Sequence, residues 1–142
     1  MNITPPGVCI KDTGTTRGRG AYATRAHASG ETVELCPVIL FTGSFSSVPA
    51  EVRQILFNWG VLAGTPSMHC LALGYGSMYN HDNPANMRYE ADVAVRGLRF
   101  VAIRDIAEGE ELTVNYNAIG GGHESTADTW FTGHGIEPYS PA

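Results

Sequence analysis

The residues best suited to chemistry lie in one run, Leu73 to Asn86. Within fourteen positions it holds glycines, two tyrosines, an Asn-His pair, an Asp and two more Asn. Gly, Asn, Asp and Pro break regular structure and supply turns. Because the apolar residues 71–73 lead into it, we expect the run to begin in the core, where its backbone groups need partners. This composition predicts a ligand-binding segment; a hairpin loop with satisfied polar groups is the structural alternative.

Other common site chemistries are less favoured. The three cysteines are far apart and form no C-x-x-C pair, which argues against a disulfide framework and a structural zinc site. Cys36 and Cys70 lie in apolar surroundings and are predicted to be small buried hydrophobes, although a Cys-His nucleophile stays open. The histidines outside the run have no ligand spacing to one another, so no metal is predicted. A calcium loop around Asp82 would lack its required glycine and terminal Glu.

A second candidate lies near the N-terminus, in the segment Arg17-Gly18-Arg19-Gly20. Two glycines there could let the backbone approach a ligand closely, and a tight turn between strands is the structural alternative. The segment lacks the third glycine and the following helix of a dinucleotide fingerprint, so a Rossmann fold is rejected.

Short strands must position these residues. Alternating and β-branched patterns predict strands at residues 8–10, 21–23, 32–41, 71–73, 88–95, 98–103 and 112–116. Pro37 cannot donate to a ladder, so the third of these should be an edge strand or be bulged there. The segments 23–31 and 102–110 share Ala, Arg, Gly and Glu at matching offsets and should both be strand-turn-strand units. The fold class predicted is β-rich (α+β), with several small sheets.

One main helix is predicted over residues 49–59. Val52, Ile55, Leu56 and Trp59 fall on one face of a 3.6-residue period. Ser47 could cap its start and Gly60 should end it. This helix is interpreted as packing rather than chemistry.

Taken in order, four motifs resemble the SET-domain protein-lysine methyltransferases. They are Gly18-Arg-Gly20 with Tyr22, Gly30-Glu31, Asn80-His81, and Gly109-Glu-Glu-Leu112 leading to Asn115-Tyr116. The match covers residues 17–117. The resemblance implies a β-clip fold in which a pseudoknot brings the Asn-His segment beside the strand carrying Tyr116. It also implies S-adenosyl-L-methionine as the methyl donor and a protein lysine as the acceptor.

The resemblance also implies site residues. Tyr116 matches the catalytic tyrosine, and the cofactor-binding positions carried over are Gly18, Arg19, Gly20, Tyr22, Asn80, His81 and Trp130. Tyr75, Tyr89 and Tyr116 would wall the lysine channel, where desolvation and a nearby sulfonium would lower the pKa of the lysine. If Tyr89 lines the channel, mono- or dimethylation is expected. Phe131 is the rival of Trp130 for the C-terminal aromatic, and Tyr22 and Tyr89 have packing as their structural alternative.

The chain departs from the family pattern at three places. Asp82 follows His81 in place of Ser, Pro84 is displaced while Asn86 keeps its place, and Asn115 stands in place of Asp. Zinc-binding flanks are absent, as in minimal microbial or viral members. The alternative function is a catalytically silent SET-like module that binds a basic peptide or protein partner. Asp82 is not assigned as a base, since water could carry the proton away.

The bulk composition sets the remaining expectations. The 142 residues suit one domain, with a core at about 7–117 and an aromatic tail at 118–142. A net charge of -5 disfavours direct nucleic-acid binding and is compatible with a Lys-containing partner, histone or histone-like. No long apolar run or leader is seen, which predicts a cytoplasmic protein without membrane contact. Delivery to a host cell or nucleus stays open, as does a homodimer through a strand edge.

Overall fold

The structure is a computed structural model that describes residues 2–122, 124–125, 127 and 129–134. Within these residues the chain forms nine strands and three short α-helices. The strands are Val8–Asp12 (β1), Arg19–Ala23 (β2), Thr32–Phe41 (β3), Leu56–Phe57 (β4), His69–Ala72 (β5), Asn80–His81 (β6), Met87–Asp92 (β7), Gly97–Ala102 (β8) and Glu111–Val114 (β9). The helices are Ala50–Arg53 (α1), Trp59–Ala63 (α2) and Thr129–His134 (α3). Single 3-10 turns lie at Phe45–Ser47, Gly76–Met78 and Val93–Val95.

The strands pair in the order β1-β2-β9-β7-β8-β3-β5-β4, and β6 adds to β9 beside this path. Most neighbours are antiparallel, but β6 and β7 both run parallel to β9. The predicted β-rich class is therefore confirmed. The parallel pairing sets Asn80 opposite Thr113 and His81 opposite Val114. Two motifs that are distant in the sequence thus meet at β9.

The two similar segments, residues 23–31 and 102–110, are each a turn between two strands, and they lie against each other. His27 and Ile106 exchange both main-chain hydrogen bonds at 2.8 Å. Gly30 donates to the carbonyl of Ala102 and Gly109 donates to that of Ala23, each at 2.8 Å. These bonds join the end of β2 to the segment before β9. They therefore keep strand β2, residues 19–23, beside Glu111.

Residue Pro37 lies where β3 changes partners. Thr32 to Pro37 pair with β8, and Val38 to Phe41 pair with β5. Pro37 has no N–H to donate, and it is tolerated here because the strand changes its pairing partner at this residue. The register irregularity lies between Thr32 and Glu34, and β3 lies between β8 and β5 in the sheet, so the edge strand or bulge predicted at Pro37 is wrong.

The single helix predicted over residues 49–59 is wrong in its extent. Helix α1 ends at Arg53, and Leu56 and Phe57 form β4, which pairs with Leu71 and Cys70 of β5. The apolar spacing suits a helix, but pairing of Leu56 and Phe57 with β5 takes precedence, because tertiary context overrides a local pattern of this length. Helix α2 then starts afresh at Trp59.

The capping predictions for that helix also need correction. Asn58, not Ser47, caps a helix: its side chain accepts from the N–H of Val61 at 3.1 Å. Gly60 lies inside α2, where a Cβ would meet the carbonyl oxygen of Pro66 at 2.8 Å. The helix ends instead at Gly64, which has a φ of 70° and the left-handed conformation favoured there.

Candidate functional site

The site is organised around the crossing of β6 and the end of β9. Just beyond β9, the main-chain N–H of Tyr116 donates to Nδ1 of His81 at 3.0 Å. A ring nitrogen that accepts a hydrogen bond carries a lone pair, so this contact assigns the ring proton of His81 to Nε2. The Asn-His segment and the tyrosine are therefore joined directly, as the resemblance implies.

The Tyr116 side chain is fixed at both ends. Its hydroxyl donates to the main-chain carbonyl of Tyr79 at 2.5 Å. Its ring lies 4.9 Å from that of Trp130 and 6.1 Å from that of Phe131, centroid to centroid. Burial, and to a lesser degree the carboxylate of Glu111, raise the pKa of Tyr116 to about 12. The phenol therefore stays protonated at neutral pH and keeps its hydrogen bond.

The glycine segment lies against the same end of β9. Asn80 donates from Nδ2 to the carbonyl of Arg19 at 3.0 Å and to Oε2 of Glu111 at 2.7 Å. A Cβ at Gly20 would meet the same Oε2 at 2.5 Å, so a side chain at this strand position would displace the Glu111 carboxylate. Gly18 has a φ of 73°, which favours glycine. The structure thus brings Arg19, Gly20 and Asn80 together beside one carboxylate, that of Glu111.

That carboxylate is part of an ion pair. The guanidinium of Arg17 donates to Oε1 of Glu111 at 2.5 Å and to the carbonyl of His81 at 3.0 Å. The side chains of Arg17 and Glu111 are 18% and 12% exposed. The side chains of Arg17, Glu111 and Asn80, with the carbonyl of His81, thus form one largely buried polar group, which we call the polar cleft. Sequence reasoning singled out neither side chain; the Glu-Glu-Leu motif was the available signal for Glu111.

Tyr22 lies on β2 opposite Glu111. The ammonium of Lys11 sits 4.2 Å above its ring. Desolvation, followed by the charge of Glu111, raises the pKa of Tyr22. The structure therefore places this residue next to the cleft with one ring face covered by a cation, and its cofactor contact stays a prediction.

An open cavity of about 250 Å³ reaches Tyr116 from the aromatic side. Its lining includes Phe57, Tyr79, Tyr89, Tyr116, Ile119 and Trp130, and it includes none of Gly18, Gly20, Asn80 and His81. Tyr116 thus contacts His81 of the polar cleft and also lines the aromatic cavity.

Tyr89 lies on the wall of this cavity, and its role in a lysine channel stays a prediction. Its ring packs edge-on against Phe57 at 4.9 Å, and its hydroxyl donates to the carbonyl of Ala118 at 3.3 Å. Burial raises the pKa of Tyr89. Gly120 accepts the main-chain N–H of Tyr89, so the glycine-rich segment after β9 closes over this wall.

Tyr75 does not line this cavity, and its place in a lysine channel stays a prediction. Its main-chain N–H donates to Glu34 at 3.0 Å, at the start of the 3-10 turn Gly76–Met78. Tyr79, which directly follows that turn, does line the cavity and was not among the residues predicted from the sequence. Its hydroxyl donates to Glu34 at 2.6 Å, and both residues are buried. The signal for Glu34 was a carboxylate within the apolar strand 32–41.

The two aromatics of α3 take different places. Trp130 lines the cavity beside Tyr116, whereas Phe131 packs edge-on against His81 at 4.6 Å. The main-chain N–H of Trp130 donates to Oδ1 of Asn117 at 3.1 Å, which anchors the helix. This placement favours the channel role for Trp130, and its cofactor contact stays a prediction. Tyr139 of the predicted aromatic tail lies outside the described residues.

The positions that depart from the family pattern have partners of their own. Asp82 is exposed, and its Oδ1 accepts from the N–H of Asn83 at 2.8 Å. Asn115 is fully buried; its amide donates to Oγ of Ser125 at 3.1 Å and its oxygen accepts from Asn117 at 2.9 Å. The side chain of Asn115 thus donates one hydrogen bond and accepts another, which an amide can do and a carboxylate cannot.

Comparisons with known proteins point to one family. The profile described as the SET domain matches residues 18–117. A curated relative from Schizosaccharomyces pombe, named histone-lysine N-methyltransferase, H3 lysine-37 specific, is 29% identical over 107 residues, covering 75% of this chain and 71% of the relative. No helix in the described residues is long and apolar enough to cross a membrane.

Solved structures share the fold. The chain superimposes on CpSET8 from Cryptosporidium with a TM-score of 0.63 and 21% identity, covering 80% of this chain and 59% of that one. It superimposes on the Polycomb Repressive Complex 2 of Chaetomium thermophilum, in a humanized mutant, with a TM-score of 0.63 and 22% identity, covering 82% and 16%. These likenesses agree with the sheet arrangement described above.

Proposed function

Because this chain belongs to the SET domain family, we propose that it is an S-adenosylmethionine-dependent protein-lysine N-methyltransferase. The observation that carries the proposal is the position of Tyr116. Its hydroxyl is fixed on the carbonyl of Tyr79, its backbone is bonded to His81, and its ring lines the aromatic cavity. One residue thus connects a polar cleft suited to a cofactor with a cavity suited to an alkyl amine.

The polar cleft fits the amino-acid part of the cofactor. That part carries an ammonium and a carboxylate, and the cleft offers the carboxylate of Glu111, the guanidinium of Arg17 and the amide of Asn80. The main chain at Gly18 to Gly20 adds close backbone approach, and Phe131 beside His81 adds an apolar surface for a ring. When bound, the cofactor supplies a methyl group activated by a sulfonium.

The aromatic cavity fits a lysine side chain. Its apolar walls would hold the methylene stem, and Tyr89 and Tyr116 would place hydroxyls at the inner end. A lysine ammonium has no lone pair, so it must lose a proton before it can attack. Removing the ammonium from water favours its neutral form, and the proton leaves to solvent. The fixed hydroxyl of Tyr116 then orients the amine for an in-line displacement.

The substrate we propose is a lysine of a protein, histone or histone-like. The support is the curated relative, whose name specifies lysine 37 of histone H3. The net charge of -5 is compatible with attraction of a Lys-containing partner at long range.

Calorimetric titration of S-adenosylmethionine tests the cofactor half of this proposal. We expect micromolar binding to the chain as written and a clear loss in Asn80→Ala, which removes the amide that bridges Arg19 and Glu111. Asn83→Ala is the matched control, because its amide bonds to Ser125 instead. No binding to any of the three proteins would refute the enzyme and favour the catalytically silent binding module.

A further inference from the structure

The outer part of the aromatic cavity is positively charged, although the chain as a whole is negative. Around the entrance lie Arg53, His69 and His134 together with the exposed apolar side chains Phe45, Ile55 and Ile119. We call these six residues the cavity mouth. Among the described residues that line the cavity there is no Asp or Glu. In a chain with 14 acidic and 9 basic residues, a mouth whose fixed charge is positive is a local exception.

The fixed positive charge at the cavity mouth belongs to Arg53, whose contacts differ from those of most other arginines. Five other arginines each form an ion pair with a carboxylate: Arg17, Arg25, Arg88, Arg99 and Arg104. Within the part of the chain that the structure describes, the Arg53 guanidinium has neither an ion pair nor a hydrogen bond. Glu51 lies two residues earlier on α1, a spacing at which helical side chains do not face each other.

The half-buried position of Arg53 restrains it near the entrance. It is the last residue of α1, and β4 begins three residues later with Leu56, which also lines the cavity. A peptide whose lysine fills the cavity must lay its neighbouring residues across Ile55 and Ile119, which are 40% and 53% exposed. Those neighbours would come within reach of the guanidinium.

For a peptide bound at the cavity mouth, the nearby charge of Arg53 matters more than the net charge of the chain. The overall negative charge acts over distances at which physiological salt screens it, with a Debye length of about 8 Å. A guanidinium in contact with the peptide interacts directly with carboxylates, often through two parallel hydrogen bonds. A second Lys or Arg beside the target lysine would instead meet a like charge.

We propose that Arg53 selects lysines flanked by acidic or uncharged residues and disfavours lysines within strongly basic sequences. This inference rests on the proposed lysine methyltransferase function and specifies its substrate class. Within a histone-like substrate it points to a lysine that has a carboxylate nearby rather than to a run of basic residues.

Three peptides of equal length with one central lysine test this selection. Their flanks are acidic, neutral or basic, and the readouts are kcat/KM for methyl transfer and affinity by fluorescence anisotropy. We expect the order acidic, neutral, basic, with about a fivefold change per charge step. Arg53→Glu should reverse the order, and Arg53→Gln should flatten it.

Arg88→Glu is the matched control. It makes the same change in net charge, but Arg88 is exposed on the face of β7 opposite Tyr89 and pairs only with Glu90 in a surface bridge. Its peptide order should equal that of the unmodified chain. A preference of the unmodified chain for the basic peptide, or an unchanged order in Arg53→Glu, would overturn the inference. If no peptide is methylated, the proposed function fails, and the affinity order alone decides whether Arg53 selects flanks.

Discussion

The main-chain N–H of Tyr116 is held by Nδ1 of His81 at 3.0 Å. Strand pairing explains how two residues 35 positions apart come into this contact, because β6 runs parallel to β9 and places His81 opposite Val114. The histidine thus has a structural duty toward the tyrosine that is separate from any contact with a cofactor.

Replacing His81 by Phe should destabilise the protein by about 1–3 kcal/mol. The ring contacts with Phe131 and Tyr116 can persist, but the partly buried N–H of Tyr116 loses its acceptor. Urea unfolding measures the change. His69→Phe is the control, since that ring stacks on exposed Phe45 and should change the free energy of unfolding by less than about 0.5 kcal/mol. Equal effects of the two substitutions would contradict the role assigned to the Nδ1 contact.

Replacing Tyr79 by Phe should cost stability and leave the position of Tyr116 in place. The lost hydroxyl donates to Oε1 of buried Glu34, and leaving that oxygen without a donor costs about 1–3 kcal/mol, although Oε2 keeps the N–H of Tyr75. The carbonyl of residue 79, which holds the Tyr116 hydroxyl, is unchanged. Thermal unfolding and methyl transfer measured on the same sample separate the two effects. A folded variant without activity would mean that the Tyr79 hydroxyl has a direct part in the reaction.

Stability should decline at high pH. Burial raises the pKa of Tyr116 to about 12 from 10.0, and burial raises that of the Cys70 thiol to about 12 from 9.0. Above pH 9 the unfolded chain therefore releases protons that the folded chain retains, and stability falls wherever the folded state binds more protons. Urea unfolding from pH 9 to 12 should show this fall. In Tyr116→Phe the slope between pH 10 and 12 should be smaller, and an identical slope would contradict the raised pKa.

The hydroxyl of Tyr89 should limit the number of methyl groups added. It is directed to the carbonyl of Ala118 on the cavity wall and takes up space at the inner end. We expect mono- or dimethyl-lysine from the unmodified chain and a larger share of higher methylation from Tyr89→Phe. Mass spectra of peptide products measure the distribution. Trimethyl-lysine as the main product of the unmodified chain would refute this role.

The sequence alone singled out motifs that the fold brings together at β9. The motifs at Gly18, Asn80 and Tyr116 are short, local and rich in residues with special backbone needs, so their types and order were informative. The strand predicted at residues 32–41 has the observed bounds, because its β-branched and apolar residues agree with its two-sided pairing. The family profile confirms the resemblance that these motifs indicated.

Contacts between residues that are far apart in the sequence could not be predicted from local motifs. The bond between Tyr79 and Glu34 joins residues 45 positions apart, and no local pattern marks either as a partner. Tyr79, which lines the cavity, and Tyr75, which does not, lie on either side of one 3-10 turn. The division of residues 49–59 into a helix, a strand and a new helix depends on pairing with β5, which a helical period does not reveal.

Methyl transfer to a lysine peptide tests the central claim most directly. The peptide with acidic flanks is incubated with S-adenosylmethionine and either the unmodified chain or Tyr116→Phe, and the products are sequenced by mass spectrometry. The account predicts methyl groups on the central lysine with the unmodified chain, and at least a roughly hundredfold lower rate with Tyr116→Phe, because orientation of the amine is lost. Calorimetric binding of the cofactor to Tyr116→Phe should persist. Equal rates from both proteins, or no methylated lysine from a chain that binds the cofactor, would contradict it.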